Sequence, residues 1–314
     1  MQACSKQIEL YHIEERIMIM KKSVKGIALL LAVLFVLPVL VACGNKTDDN
    51  GDGNKAADKV TAKVININLT DEDYAFGVDK DQPELLAKTN EFIQEIVANG
   101  KFDEICNRYF GDGEPVLVES KELDTSKDQL VVATNAAFEP FEYTVGNKFA
   151  GIDMEIAALL AEKLNLELVI QNMDFDAVCL SVGNHQCDIA MAGLTVNESR
   201  KEYVEFSDSY YKASQQIIVP SNNTEFDACK TADDVVAILN GKDASTKIGV
   251  QNGTTGQKYL QGDAEWEFDG FKVSCIGYKN GSLAVQDMLN GNLDFVVIDA
   301  APAKCITDSI NKLA

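Results

Sequence analysis

The sequence predicts an α/β fold built on parallel sheets, and the stretch from Leu130 to Val219 carries the main evidence. Short apolar runs alternate there with amphipathic runs at helical spacing, which is typical of strands connected by helices. The first apolar run ends in the irregular segment 135–141, and a later run at 188–192 ends in the segment 193–200. Ligands bind at the carboxyl ends of strands in such sheets, so both segments are candidate site loops.

The remaining elements of this stretch follow from spacing and from helix-start signals. The apolar positions after Asp153 recur at helical spacing, and Asp153 is a residue type that commonly caps helix N-termini. We therefore expect a helix that begins at Asp153, a strand over 167–171 and a short helix over 175–182.

Length and charge restrict the class of protein. The chain has 314 residues, enough for two lobes with a sizeable core, and a formal net charge of −21. Such an acidic chain is a poor partner for nucleic acid or an anionic membrane face. The two histidines, His12 and His185, lie far apart in sequence, so no spacing suggests a metal site. We expect no cofactor, and we expect a monomer.

The N-terminal region predicts targeting. Residues 1–43 read as a signal peptide, with lysines before an apolar run that ends in a lipobox-like L-V-A-C, so we expect lipidation at Cys43. Translation that begins at Met18 or Met20 would leave residues 1–17 untranslated. A transmembrane helix is the alternative, but the run is short and contains a proline. Residues 44–58 are rich in Gly, Asn and Asp and predict a flexible tether.

Several motifs, in one order, resemble the family 3 extracellular solute-binding proteins, which are polar amino-acid receptors of ABC importers. They are ATNAAFEPFEY, which is similar to the start of the glutamine-binding members, then KIGVQNGTTGQKYL and GSLAVQDMLNGNLDFVVIDAAPA. The resemblance implies a two-lobed, type II periplasmic-binding-protein fold with two hinge strands. It implies capture of a free amino acid outside the cytoplasm, delivery to an ABC transporter permease, and attachment to the membrane through the lipid anchor.

One segment occurs at a different position along the chain from the one it has in the family. Residues 72–110, from EDYAFGV through two helices separated at Gly100, resemble the part that ordinarily closes these chains. We therefore expect a circular permutation, with hinge strands near 74–78 and 215–219. Lobe two would combine residues 59–71 and 220–314, and lobe one would span residues 72–219 with the hinge strands. The tether would then enter at lobe two. An unrelated N-terminal segment on a truncated protein is the alternative.

The segment 193–200 contains the main candidate for holding an amino acid. Arg200 can bind a carboxylate through two parallel hydrogen bonds and stays charged. The resemblance assigns Arg200 and the N–H of Thr255 to the ligand carboxylate, and Thr195 to both of its charged groups. It assigns the carbonyl of Gly193 and the carboxylate of Asp299 to the ligand ammonium. The alternatives are a surface ion pair of Arg200 with Glu198 or Glu202, and a helix N-cap role for Asp299.

Four further positions concern the ligand side chain. By resemblance, Phe138 and Phe175 enclose it, although core packing is the more common fate of phenylalanine. Asn135 and Gln251 are neutral where relatives often carry a charge, which favours a polar, uncharged ligand such as glutamine. The nearby Glu139 and Glu142 leave a basic ligand open.

Three other questions stay open at this stage. Cys179 and Cys187 could form a disulfide or remain buried thiols, as could the other cysteines after Cys43. A few relatives are enzymes similar to cyclohexadienyl dehydratases, and Glu139 or Glu142 could then act as acid or base. A sensor that signals to a membrane receptor is a further alternative.

Overall fold

The computed structural model describes residues 60–111 and 113–313. The predicted signal peptide, Cys43 and the tether lie outside the described residues. Within the described part, no helix has the length and apolar character needed to cross a membrane. No disulfide joins the cysteines of this part, and Cys179 and Cys187 are both buried.

Fifteen strands and nine α-helices make up the described residues. The strands are β1 (Ala62–Ile65), β2 (Glu72–Tyr74), β3 (Gly77–Val78), β4 (Gln129–Thr134), β5 (Ala137–Phe138), β6 (Glu142–Val145), β7 (Lys148–Ala150), β8 (Glu167–Asn172), β9 (Ile189–Ala190), β10 (Glu205–Phe206), β11 (Tyr211–Ala213), β12 (Gln215–Pro220), β13 (Lys247–Gln251), β14 (Ser274–Tyr278) and β15 (Phe295–Asp299). The helices are α1 (Pro83–Ala98), α2 (Lys101–Phe110), α3 (Ile152–Leu164), α4 (Phe175–Gly183), α5 (Glu198–Lys201), α6 (Ala232–Asn240), α7 (Thr255–Gln261), α8 (Gly281–Leu289) and α9 (Ala300–Lys312).

Lobe one is built on a five-stranded sheet in the order β10-β3-β9-β4-β8. β4 runs parallel to β8 and β9, whereas β3 runs antiparallel to β9 and β10. A smaller sheet of β5, β6 and β7 is placed between the end of β4 and the start of α3. The carboxyl ends of β4 and β9 therefore open into the predicted site loops.

Lobe two is built on a second five-stranded sheet in the order β1-β12-β15-β13-β14. β13 runs parallel to β14 and β15, and β12 runs antiparallel to β1 and β15. All five residues of β15 are buried, which explains why the sequence FVVID contains no exposed polar position. Two sheets with helices packed on them confirm the two-lobed α/β fold.

The short ribbon of β2 paired with β11 connects the two lobes. β2 follows β1 of lobe two and precedes β3 of lobe one, and β11 lies between β10 and β12. The strand that the sequence suggested as the second hinge, residues 215–219, is β12 and lies inside the sheet of lobe two. The crossing occurs a few residues earlier, because β12 pairs on both sides within that sheet.

The predicted start of α3 is wrong by two residues. Gly151 occupies the N-cap position, and Asp153 lies inside the first turn. The Asp153 carboxylate accepts hydrogen bonds from Tyr210 Oη and from the N–H of Gly193 instead of capping the helix. Its side chain thus links α3 to the site loop, a role that the local sequence could not reveal.

The end of α9 is attached to the beginning of β1. Asn311 Nδ2 donates to the carbonyl of Ala62 at 2.8 Å, and the N–H of Ala62 donates to Asn311 Oδ1 at 3.0 Å. In the family order, the element that α9 resembles leads directly into the element that β1 resembles. On these contacts we propose that the chain is a circular permutant whose connection between these two elements has been opened.

This proposal predicts that the family order also folds. A chain that runs from residue 114 to 313, then through a short Gly/Ser linker into residues 60–111, retains the contacts of both sheets. Its midpoint of thermal unfolding, measured by circular dichroism, should lie within about 4 °C of that of residues 60–313, equivalent to roughly 1 kcal/mol. A reordered chain that stays unfolded would contradict the proposal.

Candidate functional site in the interlobe cleft

The loop after β9 brings Gly193 against other predicted site residues. Gly193 has a φ of +52°, a left-handed conformation that glycine adopts without strain. A Cβ at this position would lie 3.0 Å from the Phe138 ring and 3.2 Å from the Tyr74 ring. Any larger residue would therefore push these rings away, because both rings pack directly on the backbone of Gly193.

Arg200 extends from the short helix α5 into the boundary between the lobes. The side chain of Asn197 accepts a hydrogen bond from the N–H of Arg200 at 2.9 Å and so fixes the first turn. Arg200 Nη1 donates to the carbonyl of Thr195 at 2.6 Å, and Nη2 donates to the carbonyl of Gly253 in lobe two at 3.2 Å. The guanidinium also lies 5.1 Å from the centre of the Phe175 ring.

Arg200 is buried, yet it makes no ion pair with any of the described residues. The alternative of a surface ion pair does not hold, because Glu198 pairs with Lys201 at 2.6 Å. The partners of the guanidinium are neutral carbonyls and an aromatic face. A buried cation that has only neutral partners among the described residues is costly, so Arg200 is a candidate for binding an anion.

Asp299 lies at the end of β15 and faces the hinge. It occupies the N-cap position of α9 without accepting a capping hydrogen bond. Its Oδ1 accepts a hydrogen bond from Tyr74 Oη at 2.6 Å. Burial, followed by the nearby Glu72 carboxylate, raises the pKa of Asp299 to about 7. A bound ammonium would favour the ionised form of Asp299.

Glu72 connects the hinge to the site loop. Its carboxylate accepts hydrogen bonds from Thr195 Oγ1 at 2.6 Å, Thr70 Oγ1 at 2.5 Å and Gln215 Nε2 at 2.9 Å. Thr195 of the site loop and Gln215 of lobe two therefore share the carboxylate of Glu72. The charge of Glu72 also acts on Asp299, the candidate ligand group of lobe two.

Asn135 and Gln251 contact each other across the cleft. Gln251 Nε2 donates to Asn135 Oδ1 at 2.9 Å, and Asn135 Nδ2 donates to the carbonyl of Met173 at 2.6 Å. Both side chains are buried. Lys258 Nζ of lobe two also donates to Ser199 Oγ of lobe one at 2.9 Å. With the bond from Arg200 to Gly253, these contacts hold the lobes in a closed arrangement.

The remaining predicted site residues are Phe138, Phe175 and Thr255. Phe138 is buried, with its ring centre 6.2 Å from that of Phe141. Phe175 is partly buried and packs on Arg200. Thr255 is buried at the first residue of α7, next to the turn that Gly253 makes with a φ of +74°.

Buried acids are concentrated on the lobe-one side of the cleft. Glu142 is fully buried, and burial, followed by the nearby Asp153 and Asp299, raises its pKa well above the ordinary value. Burial raises the pKa of Asp153 to about 7. This group of acids gives the crevice a strongly negative character whenever the carboxyls ionise.

Sequence reasoning missed Tyr74, Glu72 and Asp153 as parts of the site. Tyr74 contacts a residue that is 225 positions away, and Thr195 contacts a residue that is 123 positions away. The hinge motif EDYAFGV is the one signal that could have indicated Glu72 and Tyr74. Asp153 has the sequence context of an ordinary helix start.

A second cluster lies at the opposite end of β9. His185 Nδ1 is 2.7 Å from Asp79 Oδ2, and His185 Nε2 is 3.7 Å from Asp81 Oδ2. Local sequence could not indicate this arrangement, since more than 100 residues separate His185 from Asp79. It is explained by an ion pair that fixes the loop after α4 to the end of β3.

Comparison with known proteins places this cleft in a family. A profile of the bacterial extracellular solute-binding proteins, family 3, matches residues 130–299. The curated relatives include the arginine-binding extracellular protein ArtP of Bacillus subtilis, 37% identical over 95 residues, or 30% of this chain and 37% of the relative. The probable histidine-binding protein of Neisseria gonorrhoeae is 30% identical over 54% of this chain and 58% of the relative.

The arginine-binding periplasmic protein of Mannheimia haemolytica is 30% identical over 56% of this chain and 65% of the relative. The chain thus spans between 37% and 65% of the length of these relatives. A solved ancestral arginine-binding protein bound to glutamine is 33% identical, with 58% of this chain and 74% of that chain covered and a TM-score of 0.48. The matched profile covers more than half of the 314 residues, so the chain belongs to the bacterial extracellular solute-binding proteins of family 3.

Proposed function

We propose that this protein captures one free α-amino acid between its lobes and delivers it to an ABC importer. The observation that carries the proposal is Arg200, a buried guanidinium without a counter-charge at the lobe boundary. An amino-acid carboxylate supplies that charge through two parallel hydrogen bonds. Asp299, with the carbonyl of Gly193, receives the ammonium.

Capture works by closure of the hinge. In the open protein the ligand carboxylate meets Arg200 and Thr195 on lobe one, and closure adds Asp299 and the N–H of Thr255 from lobe two. The ligand stabilises the closed form because these added contacts exist only there. A permease that recognises the closed form then accepts the loaded protein. Micromolar affinity requires about −8 kcal/mol, which a zwitterion with both charges paired can supply.

The protein acts outside the cytoplasm in this proposal, as a monomer held to the membrane through lipid on Cys43. Binding alone explains the residues of the cleft, without a catalysed reaction, because the predicted groups pair with charges of the ligand. The three relatives compared above are named as binding proteins. These names support capture over the dehydratase alternative.

Two candidates exist for the ligand side chain. The neutral pair of Asn135 and Gln251 supports a polar, uncharged side chain such as that of glutamine, because neither residue offers a charge. A basic side chain is the second candidate, and the buried carboxyl of Glu142 favours it. Relatives named for arginine and histidine support the second candidate as well.

Replacing Arg200 should abolish tight binding. Arg200→Ala should weaken the affinity for the cognate amino acid by about 100-fold or more, because it removes the charge that pairs with the ligand carboxylate. Lys201→Ala is the matched control, since Lys201 is an exposed neighbour whose ion pair with Glu198 contributes little. Isothermal titration calorimetry measures both variants. An Arg200→Ala protein with wild-type affinity would contradict the proposal.

The affinity should also depend on pH through Asp299. The pKa of Asp299 is raised to about 7, so below that pH the unliganded protein holds a proton that the ligand ammonium must displace. We expect the affinity to fall by about tenfold per pH unit as pH drops below 7. In Asp299→Asn, the slope of log Kd against pH should decrease by about one, measured by calorimetry between pH 5 and pH 8. An unchanged slope would rule out this role for Asp299.

A further inference from the structure

Glu142 is a buried carboxyl group without a partner. The residue has no exposed surface, and neither carboxylate oxygen makes a hydrogen bond to any of the described residues. Buried polar groups are almost always hydrogen-bonded, since a buried carboxyl without partners loses its hydration and gains nothing. An exception of this kind marks a candidate functional group.

The neighbouring buried acids differ from Glu142 in this respect. Asp153 accepts from Gly193 and Tyr210, and Asp299 accepts from Tyr74. Glu72 accepts three hydrogen bonds from side chains of the hinge and the site loop. Of these four carboxyl groups, Glu142 alone has none of its hydrogen-bonding capacity used within the described residues.

Glu142 lies beside residues of the candidate ligand site. It is the first residue of β6 and pairs with Phe138 of β5, the residue whose ring touches Gly193. Asp153 of lobe one and Asp299 of lobe two both act on the charge of Glu142, so its carboxyl lies near candidate site residues of both lobes. Gln251 Oε1 is a second buried acceptor there that lacks a donor among the described residues.

We infer that Glu142 accepts hydrogen bonds from the cationic end of the ligand side chain, so that the site takes a basic amino acid. This inference rests on the proposed function. The ligand carboxylate is paired by Arg200 and the ligand ammonium by Asp299, which leaves Glu142 for a second positive charge. A guanidinium or a side-chain ammonium carries several N–H donors and a positive charge, which matches an unpaired carboxylate and a spare amide oxygen.

The first test needs no variant, because L-arginine and L-citrulline have nearly the same shape and differ in the charge at the end of the side chain. By calorimetry at pH 7.5, the wild-type protein should bind L-arginine about 100-fold more tightly than L-citrulline, the scale of a buried charge pair. L-lysine reports whether a side-chain ammonium also fits. Equal binding of arginine and citrulline would overturn the inference.

The second test uses Glu142→Gln, which keeps the shape and removes the charge. It should weaken arginine binding by about 100-fold while leaving citrulline and glutamine within about threefold. Glu162→Gln is the control, since Glu162 is an exposed carboxyl on α3 of lobe one and should leave all three affinities unchanged. An equal loss for all ligands would place Glu142 at the ligand ammonium, and no loss would make it a structural acid; either result overturns the inference.

Failure of the inference can be told apart from failure of the proposed function. If glutamine binds tightly and arginine does not, capture stands and the inference falls. If none of these amino acids binds the wild-type protein, both fall. Thermal unfolding of unliganded Glu142→Gln at pH 7.5 verifies folding, and its midpoint should equal or exceed that of the wild type, because an unpaired buried carboxyl is removed.

Discussion

The structure depends on a guanidinium that is buried where the two lobes meet. Arg200 is positioned by an N-cap on α5, stacks on Phe175 and reaches a carbonyl of lobe two. These contacts fix the orientation of the Arg200 side chain, but none of them supplies a negative charge. A buried positive charge with only neutral partners is costly, and an anion bound beside it would lower that cost.

The cleft also contains buried carboxyl groups, whose charge is opposite to that of Arg200 when they ionise. Asp299 and Asp153 have raised pKa values because burial disfavours their charged forms. An amino acid separates its own two charges over a short distance and can satisfy both sides together. The hinge gives this pairing a mechanical consequence, because Glu72 and Tyr74 of β2 hydrogen-bond to Thr195 and Asp299.

Some elements and site residues could be predicted from patterns in the local sequence alone. The apolar runs at β4 and β15, the T-x-x-x-x-R spacing of Thr195 and Arg200, and the irregular loops after β4 and β9 could all be read without a structure. The resemblance then supplied the two-lobed arrangement. What local sequence could not reveal depends on long-range contacts. Asp153 looks like a helix cap until Tyr210 and Gly193 lie beside it, and the strand at 215–219 looks like a hinge until its partners on both sides are known.

The central claim is that Arg200 and Asp299 hold the two charged groups of one amino acid across the cleft. A crystal structure of the protein with its amino acid bound tests this most directly. The account predicts that the ligand carboxylate lies within hydrogen-bond distance of the Arg200 guanidinium, with the ligand ammonium at the Asp299 carboxylate. A bound amino acid whose charged groups contact neither residue would contradict it.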